Sequence, residues 1–225
     1  ISLYLIMKRI ATSLMLLCLC IAASAQDIFD NPDRGARLGV RLGLDIATST
    51  DFDFGRIKLG VLNAGAGFTA GAVYNIPVWK NMYFEPGLLL FYNSMGYDIT
   101  ISDESSAPDT GHCSLRRFGV RVPFRLGYRF DFEKVSVRAF TGPQLEVGLI
   151  GRSRLEVGNE SASENAYGSD GTFNRVNVGW EFGAGVDYGN WTAEISGAAG
   201  ITDMVQGSAI KGRFNNVTIS LGYNF

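Results

Sequence analysis

The sequence contains few of the side chains on which metal sites and most enzymes depend. Its 225 residues include one histidine and three cysteines, and only Cys113 lies outside the N-terminal segment. Neither an internal disulfide nor an ordinary zinc site can be built from that set. We therefore predict no metal and no cofactor. Charged residues make up 19% of the chain, whereas a soluble domain contains about 25%.

Two further absences narrow the class of protein. The formal net charge is −2, so no nucleic-acid partner is predicted. After residue 22 no apolar run approaches the ~20 residues that a transmembrane helix requires. A membrane location would then require a closed β-barrel, because only helices and barrels satisfy their backbone hydrogen bonds in lipid.

The N-terminus has the features of a secretory signal peptide. Lys8 and Arg9 precede an apolar run over residues 10–22, and residues 23–25 (ASA) form a small-residue cleavage site. Met7 is the expected start, because it places the positive pair at the N-terminus. The apolar run is too short to span a membrane as a helix.

Alternation of apolar and polar residues dominates the rest of the chain. In the last stretch the apolar positions are Val217, Ile219, Leu221, Tyr223 and Phe225. About eight such stretches can be drawn, and none has Lys, Arg, Asp or Glu on its apolar face. A period of two is typical of β-strands. The pattern predicts an all-β fold, an eight-stranded antiparallel up-and-down β-barrel that spans the outer membrane and contacts lipid with its outside.

This interpretation divides the chain into three parts. Residues 1–25 are the signal peptide, 26–34 a short periplasmic segment, and 35–225 the barrel. A lipoprotein anchored at Cys20 is an alternative, although Leu19 is a poor residue to precede a lipidated cysteine. A soluble β-protein that turns its apolar face inward would also alternate.

The connections between the stretches favour the membrane barrel. Those near 77–81, 131–134 and 189–190 are short. Those near 49–60, 95–114, 151–171 and 203–211 are long and polar. Short periplasmic turns and long external loops are the outer-membrane arrangement. We expect the long segments to be solvated loops.

Aromatic residues crowd the strand ends beside the short turns, as a membrane-interface girdle requires. The predicted girdle consists of Tyr74, Trp79, Tyr83, Tyr128, Phe130, Tyr188, Trp191, Tyr223 and Phe225.

Three prolines, Pro86, Pro123 and Pro143, lie inside proposed strands. Each removes a donor from the hydrogen-bond ladder. We expect β-bulges at these positions.

Several segments resemble the PorT-like outer-membrane β-barrel domain. They are YFEPGLLLFYNSMGY at 83–97, FGVRVPFRLGYRF at 118–130, and shorter motifs at 142–143, 183–186 and 200–203. The resemblance implies an eight-stranded barrel and would account for the strand prolines. It implies little about activity: most members have no assigned role, and one branch serves protein secretion to the cell surface. Gly87 departs from the family, which often has Glu there, but Glu85 lies on the same inward face.

The inward face carries the charged residues that any lumen chemistry would use. An eight-stranded lumen is only wide enough to be filled by side chains, and unpaired buried charge is strongly unfavourable. We therefore predict a paired lumen network, with Arg117 near Glu146. Its predicted members are Arg37, Arg41, Asp45, Glu85, Arg117, Arg121, Arg125, Arg129, Arg138, Glu146, Glu181, Asp187 and Glu194.

Two alternatives give the barrel an activity of its own. The arginine column on strand four could line a small anion-preferring pore. His112 and Ser114, one residue apart, could act as base and nucleophile of a lipid-modifying enzyme, but no acidic residue can be assigned to orient the histidine. Cys113 between them is interpreted as an incidental thiol, and the protein is predicted not to be an enzyme.

The leading hypothesis is a structural or protein-interaction component of the outer membrane. The expected partners are outer-membrane lipid, the barrel-insertion machinery through the C-terminal strand, and proteins of a secretion or assembly complex.

Overall fold

The computed structural model describes most of the predicted barrel. The described residues are 35–49, 52–53, 58–59, 63–101, 109–157, 160–167, 173–203 and 212–225. The predicted signal peptide and periplasmic segment, at 1–34, lie outside them. No helix among the described residues is long and apolar enough to cross a membrane.

Eight antiparallel strands close into one barrel, which confirms the predicted fold class. Consecutive strands pair with each other, and the last pairs with the first from Gly39 opposite Asn224 to Ser49 opposite Phe214. The strands are β1 (Arg37–Ser49), β2 (Asn63–Trp79), β3 (Met82–Ile101), β4 (Asp109–Asp131), β5 (Val135–Val157), β6 (Val176–Tyr188), β7 (Trp191–Gly200) and β8 (Phe214–Asn224).

Side-chain polarity follows the pleat of each strand. On β1 the outward Leu42 and Leu44 are 66% and 73% exposed, whereas the inward Arg41 and Asp45 are buried. Successive side chains of a strand point to opposite faces, so one apolar face surrounds the barrel and a polar face fills it. An exposed apolar band of this kind is the surface that lipid covers in an outer-membrane barrel.

The two ends of the barrel differ as expected. The turns at 80–81, 132–134 and 189–190 are short and lie at the end where the first and last strands meet near residues 39 and 224. Lys80 and Gly189 have positive φ angles of 48° and 58°, and glycine has no Cβ to oppose such a turn. Short turns mark the periplasmic end.

At the opposite end, much of two predicted loops is strand. β4 and β5 each contain 23 residues, roughly 75 Å if fully extended, whereas a tilted membrane strand needs about 9–11 residues. Together with residues 97–101 of β3 and the edge strand Glu160–Asn165, which pairs with β5, their ends form a projecting sheet. We call residues 97–101, 109–113, 152–157 and 160–165 the external sheet. Beyond the apolar band, neither face of a strand must be apolar, so the sequence there need not alternate.

The expectation of bulges at the strand prolines was wrong. Between β3 and β4 the pairs Pro86–Phe124 and Leu89–Arg121 keep one register. β5 pairs with β6 continuously through Pro143. A barrel strand has two neighbours, so a proline removes one donor without shifting the strand. The register shifts lie at Asn63/Ala66, Pro77/Trp79 and Phe118/Gly119 instead.

Most of the predicted girdle residues are exposed near the periplasmic rim, but Tyr83 is not. Trp191, Tyr223 and Phe225 pack in sequence with ring centroids 5.2 Å apart. The exposed members are Tyr74, Trp79, Tyr128, Phe130, Tyr188, Trp191 and Phe225, whereas Tyr223 is half-buried. Tyr83 is only 2% exposed, because it occupies an inward position of β3, two residues before Glu85. Its assignment to the girdle was wrong.

A charge placed on the outside should be tolerated at the rim and not in the middle of the apolar band. Leu44 lies opposite Phe68 and Ile219 in the apolar band. The substitution Leu44→Arg is expected to lower the free energy of unfolding by roughly 2–4 kcal/mol. Leu38→Arg, beside Tyr74 at the rim, should cost about 0–1 kcal/mol. Equilibrium urea unfolding in lipid vesicles measures both, and equal losses would contradict the assigned lipid face.

Candidate functional site

Among the described residues, the lumen contains six arginines and six carboxylates that pair across the barrel. The arginines are Arg41, Arg117, Arg121, Arg125, Arg129 and Arg138. The carboxylates are Asp45, Glu85, Glu146, Glu181, Asp187 and Glu194. The formal charges of this set cancel. Arg37 is not a member: it is the first residue of β1 and is exposed at the periplasmic mouth, so its assignment to the network was wrong.

Glu85 of β3 is the centre of the network and is fully buried. One of its oxygens lies 3.2 Å from a nitrogen of Arg125, and the other lies 3.1 Å from Arg138 and 3.5 Å from Arg41. Asn75 of β2 donates a further hydrogen bond to it at 3.0 Å. One carboxylate therefore joins side chains from four other strands.

Glu194 of β7 is the second shared carboxylate at this level. It accepts hydrogen bonds from Arg41 at 2.8 Å and from Arg125 at 3.1 Å, and it also pairs with Arg138. Arg125 also donates two hydrogen bonds to Glu181 of β6, at 2.8 and 3.0 Å, in a bidentate pair. Bidentate pairs of this kind fix the orientation of both groups.

A second layer lies toward the external end. Arg121 donates to both oxygens of Asp45 and to Glu146, each at 3.2 Å. Arg117 donates to the other oxygen of Glu146 at 2.8 Å, as the short turn between β4 and β5 led us to expect. Thr218 of β8 donates to Asp45 at 2.7 Å, so all eight strands contribute to the network.

A third layer closes the periplasmic end. Arg138 lies 3.5 Å from Asp187, and Arg129 lies 3.4 Å from the same carboxylate. Thr192 donates to Asp187 and accepts from Arg138. The Arg129 side chain is 21% exposed, so this layer is the one nearest to periplasmic water.

The lumen has room for these long side chains because small residues alternate with arginines on β4. Gly119, Pro123 and Gly127 occupy the inward positions between them. A Cβ at Gly127 would overlap the Tyr83 ring, and one at Gly119 would overlap the Phe91 ring. The rings fill the vacated space, and the Phe91 centroid lies 5.1 Å from the Arg121 guanidinium carbon.

An apolar cap covers the external end of the network, and sequence reasoning missed it. Arg117 stacks 3.5 Å above the Phe214 ring, and Phe214 packs against Phe173 with centroids 6.3 Å apart. Burial raises the pKa of the Tyr167 phenol. The position of Leu115 could have indicated the cap, because Leu115 lies two residues before the inward-facing Arg117 and therefore also faces inward. The cap consists of Ala47, Met95, Leu115, Ala166, Tyr167, Phe173 and Phe214.

The cavities beside the network are small. A cavity of ≈ 30 Å³ lies beside Arg37 and Arg129, and one of ≈ 20 Å³ beside Gln144 and Asn216; each is about the volume of one water molecule. Among the described residues, no group of three or more His, Cys, Asp or Glu side chains could hold a metal ion. The filled lumen therefore has the character of a structural core.

Ser114 of the candidate catalytic pair does not face the lumen. Ser114 lies on the same outward face of β4 as Arg116 and Phe118, and it borders an external cleft. His112 belongs to β4 by its backbone and not to a loop, and its side chain lies outside the described residues. The same holds for Cys113.

A closed barrel with an apolar outside and a filled polar lumen defines the class of small integral outer-membrane β-barrels. A family model described as an outer membrane protein beta-barrel domain matches residues 24–206. The chain belongs to that family, and it is an outer-membrane protein.

Several solved structures are similar to the chain at low sequence identity. Neisserial surface protein A is 13% identical, with coverage of 85% of this chain and 100% of its own and a TM-score of 0.43. The attachment invasion locus protein Ail of Yersinia pestis is 13% identical, with coverage of 85% of this chain and 100% of its own and a TM-score of 0.41. The outer membrane protein OprG of Pseudomonas aeruginosa is 11% identical, with coverage of 85% of this chain and 97% of its own and a TM-score of 0.42. No curated protein matches the chain.

Removing the central carboxylate should destabilise the barrel strongly. Glu85→Gln leaves three buried arginines with one fewer counter-charge and is expected to lower the free energy of unfolding by roughly 3–5 kcal/mol. Urea unfolding in lipid vesicles, followed by tryptophan fluorescence, measures the loss.

Two controls separate charge imbalance from a general effect of substitution. Glu156→Gln removes an exposed carboxylate, 2.9 Å from Arg154, and should change stability little. Glu85→Gln combined with Arg138→Gln should be less destabilising than the sum of the two single variants, because these groups are in contact. Wild-type stability of Glu85→Gln would contradict the network's role.

Proposed function

We propose that the protein is a non-conducting, non-enzymatic barrel that presents the external sheet to a protein partner at the cell surface. The lumen supports this proposal because its six ion-paired arginines and their six counter-charges occupy the path that solute would take. The barrel then acts as a rigid base for whatever projects from it.

The observation that carries the proposal is the external sheet itself. β4 and β5 continue well beyond the length needed to cross a membrane. Glu160–Asn165 pairs with β5 on one side and with no other strand of the described residues on its other side. An edge strand with free backbone donors and acceptors can bind an extended segment of another chain by strand addition.

The edge strand also shows what kind of partner it suits. Residues 161–165 are exposed and have the sequence SASEN, so the surface is polar. Contacts there would be hydrogen-bonded and hydrated, as in transient interfaces, and would gain little from apolar burial. A secretion or assembly machine is the partner class that the PorT-like resemblance suggests, and membership of that branch stays a prediction.

Site-specific photo-crosslinking in native outer membranes tests the proposal. A photo-reactive residue at Ser163, on the edge strand, is expected to give one discrete protein adduct. The matched control is a photo-reactive residue at Lys134, exposed in a periplasmic turn, which should give none. No adduct at Ser163, or an adduct at Lys134 alone, would contradict the surface assignment.

A further inference from the structure

Three arginines lie on the outside of the barrel at its external rim, apart from the lumen network. Arg116 of β4 and Arg152 and Arg154 of β5 are all exposed. Arg116 lies between the buried Leu115 and Arg117, so its side chain points outward by the alternation of the strand. These residues form what we call the rim cluster.

The rim cluster lies just beyond the apolar band. Along β4 the next outward residue toward the membrane is Phe118, whose partner on β3 is Tyr92. The Tyr92 ring packs against Phe68 with centroids 5.6 Å apart, and Ile150 of β5 is 68% exposed. Aromatic residues flank the apolar band at its interfaces, so the rim cluster stands at the depth of the external lipid headgroups.

Within the described part of the chain, the positive charge of the cluster exceeds the negative charge paired with it. Arg116 and Arg152 are directly opposite each other across β4 and β5, and like charges so placed destabilise a sheet. Within the described part of the chain, neither has an ion-pair partner; Arg154 alone has one, Glu156 at 2.9 Å. An anion bound between the arginines would remove this repulsion.

A cleft beside the cluster has the size and lining for a headgroup. Its volume is ≈ 430 Å³, and its walls include Arg116, Arg154, the hydroxyl-bearing Ser94 and Ser114, and Glu156. Gly65 and Gly96 border it without side chains that would fill it. The cleft therefore combines the positive charge of Arg116, neutral donors and open space, and its carboxylate, Glu156, pairs with Arg154.

We propose that the rim cluster binds the phosphate group of a lipid in the external leaflet. Guanidinium groups of Arg116 and Arg152 donate charge-assisted hydrogen bonds to phosphate oxygens, and the serine hydroxyls contact the polar remainder of the headgroup. A lipid suits the site better than free phosphate because the exposed Ile150 and Leu149 continue from the cluster into the apolar band, where acyl chains lie.

Lipid binding to the full-length purified barrel in zwitterionic detergent tests the proposal. The probe is bisphosphorylated lipid A, measured by native mass spectrometry. The combined variant Arg116→Gln, Arg152→Gln and Arg154→Gln should lose affinity by about fivefold for each charge removed, on the order of 100-fold in all. Glu156→Gln should bind the lipid more tightly than the wild type, because it releases Arg154.

A matched variant controls for net charge. Arg37→Gln, Lys80→Gln and Lys134→Gln remove three exposed cations at the periplasmic end and should leave binding unchanged. The gel-mobility shift of the folded barrel confirms that each variant folds.

The outcomes separate the possible sources of binding. Unchanged affinity in the rim variant, or an equal loss in the periplasmic control, overturns the proposal. Binding of dephosphorylated lipid A as tight as that of lipid A also overturns it. Complete displacement of the lipid by millimolar inorganic phosphate would assign the site to a free anion.

Discussion

Charge balance inside a narrow lumen is the constraint on which the rest of this structure depends. Eight strands enclose a space that side chains alone can fill, so an ion there has no hydration shell and must find its counter-charge in the protein. The six arginines and six carboxylates meet this requirement through Glu85 and Glu194, which each contact three arginines. Because the partners come from different strands, the network cross-links the barrel as well as filling it.

Packing around the ions follows from the same constraint. Arginines at every fourth residue of β4 fit only because the inward positions between them are glycine or proline. The aromatic rings of Phe91, Tyr83 and Phe140 lie against guanidinium groups and exclude water from the ion pairs. Above them the apolar cap completes the exclusion at the external end. The same polar set would be unfavourable if any of these layers were missing.

The features that contact with lipid requires could be predicted from the sequence. The features outside the apolar band could not. Within the apolar band each strand must alternate, so eight strands and their outward faces could be predicted from the period alone. The external sheet has no such requirement, and its Ser, Asp and Arg residues were interpreted as loop. Pro86 and Pro143 were expected to cause bulges because a single strand was considered without its second neighbour.

The composition of the site was predicted, but of its contacts only the one between Arg117 and Glu146 was predicted. Inward parity identified the charged residues of the network that the structure describes, yet residue type alone does not say which arginine reaches which carboxylate across a barrel. Tyr83 was assigned to the girdle from its ring, although its position two residues before Glu85 indicated the lumen. Arg37 has inward parity too, but it lies at a strand end, where parity no longer implies burial. The cap was missed because Tyr167 and Phe173 come from outside the eight strands.

Single-channel recording in planar lipid bilayers tests the central claim, a lumen closed by its own ion pairs, most directly. Purified barrel whose insertion is verified by its gel-mobility shift should produce no stepwise current at any physiological voltage. Reproducible steps that shrink in Arg121→Gln and Arg125→Gln variants would contradict the account, because they would place the ion path along the arginine column.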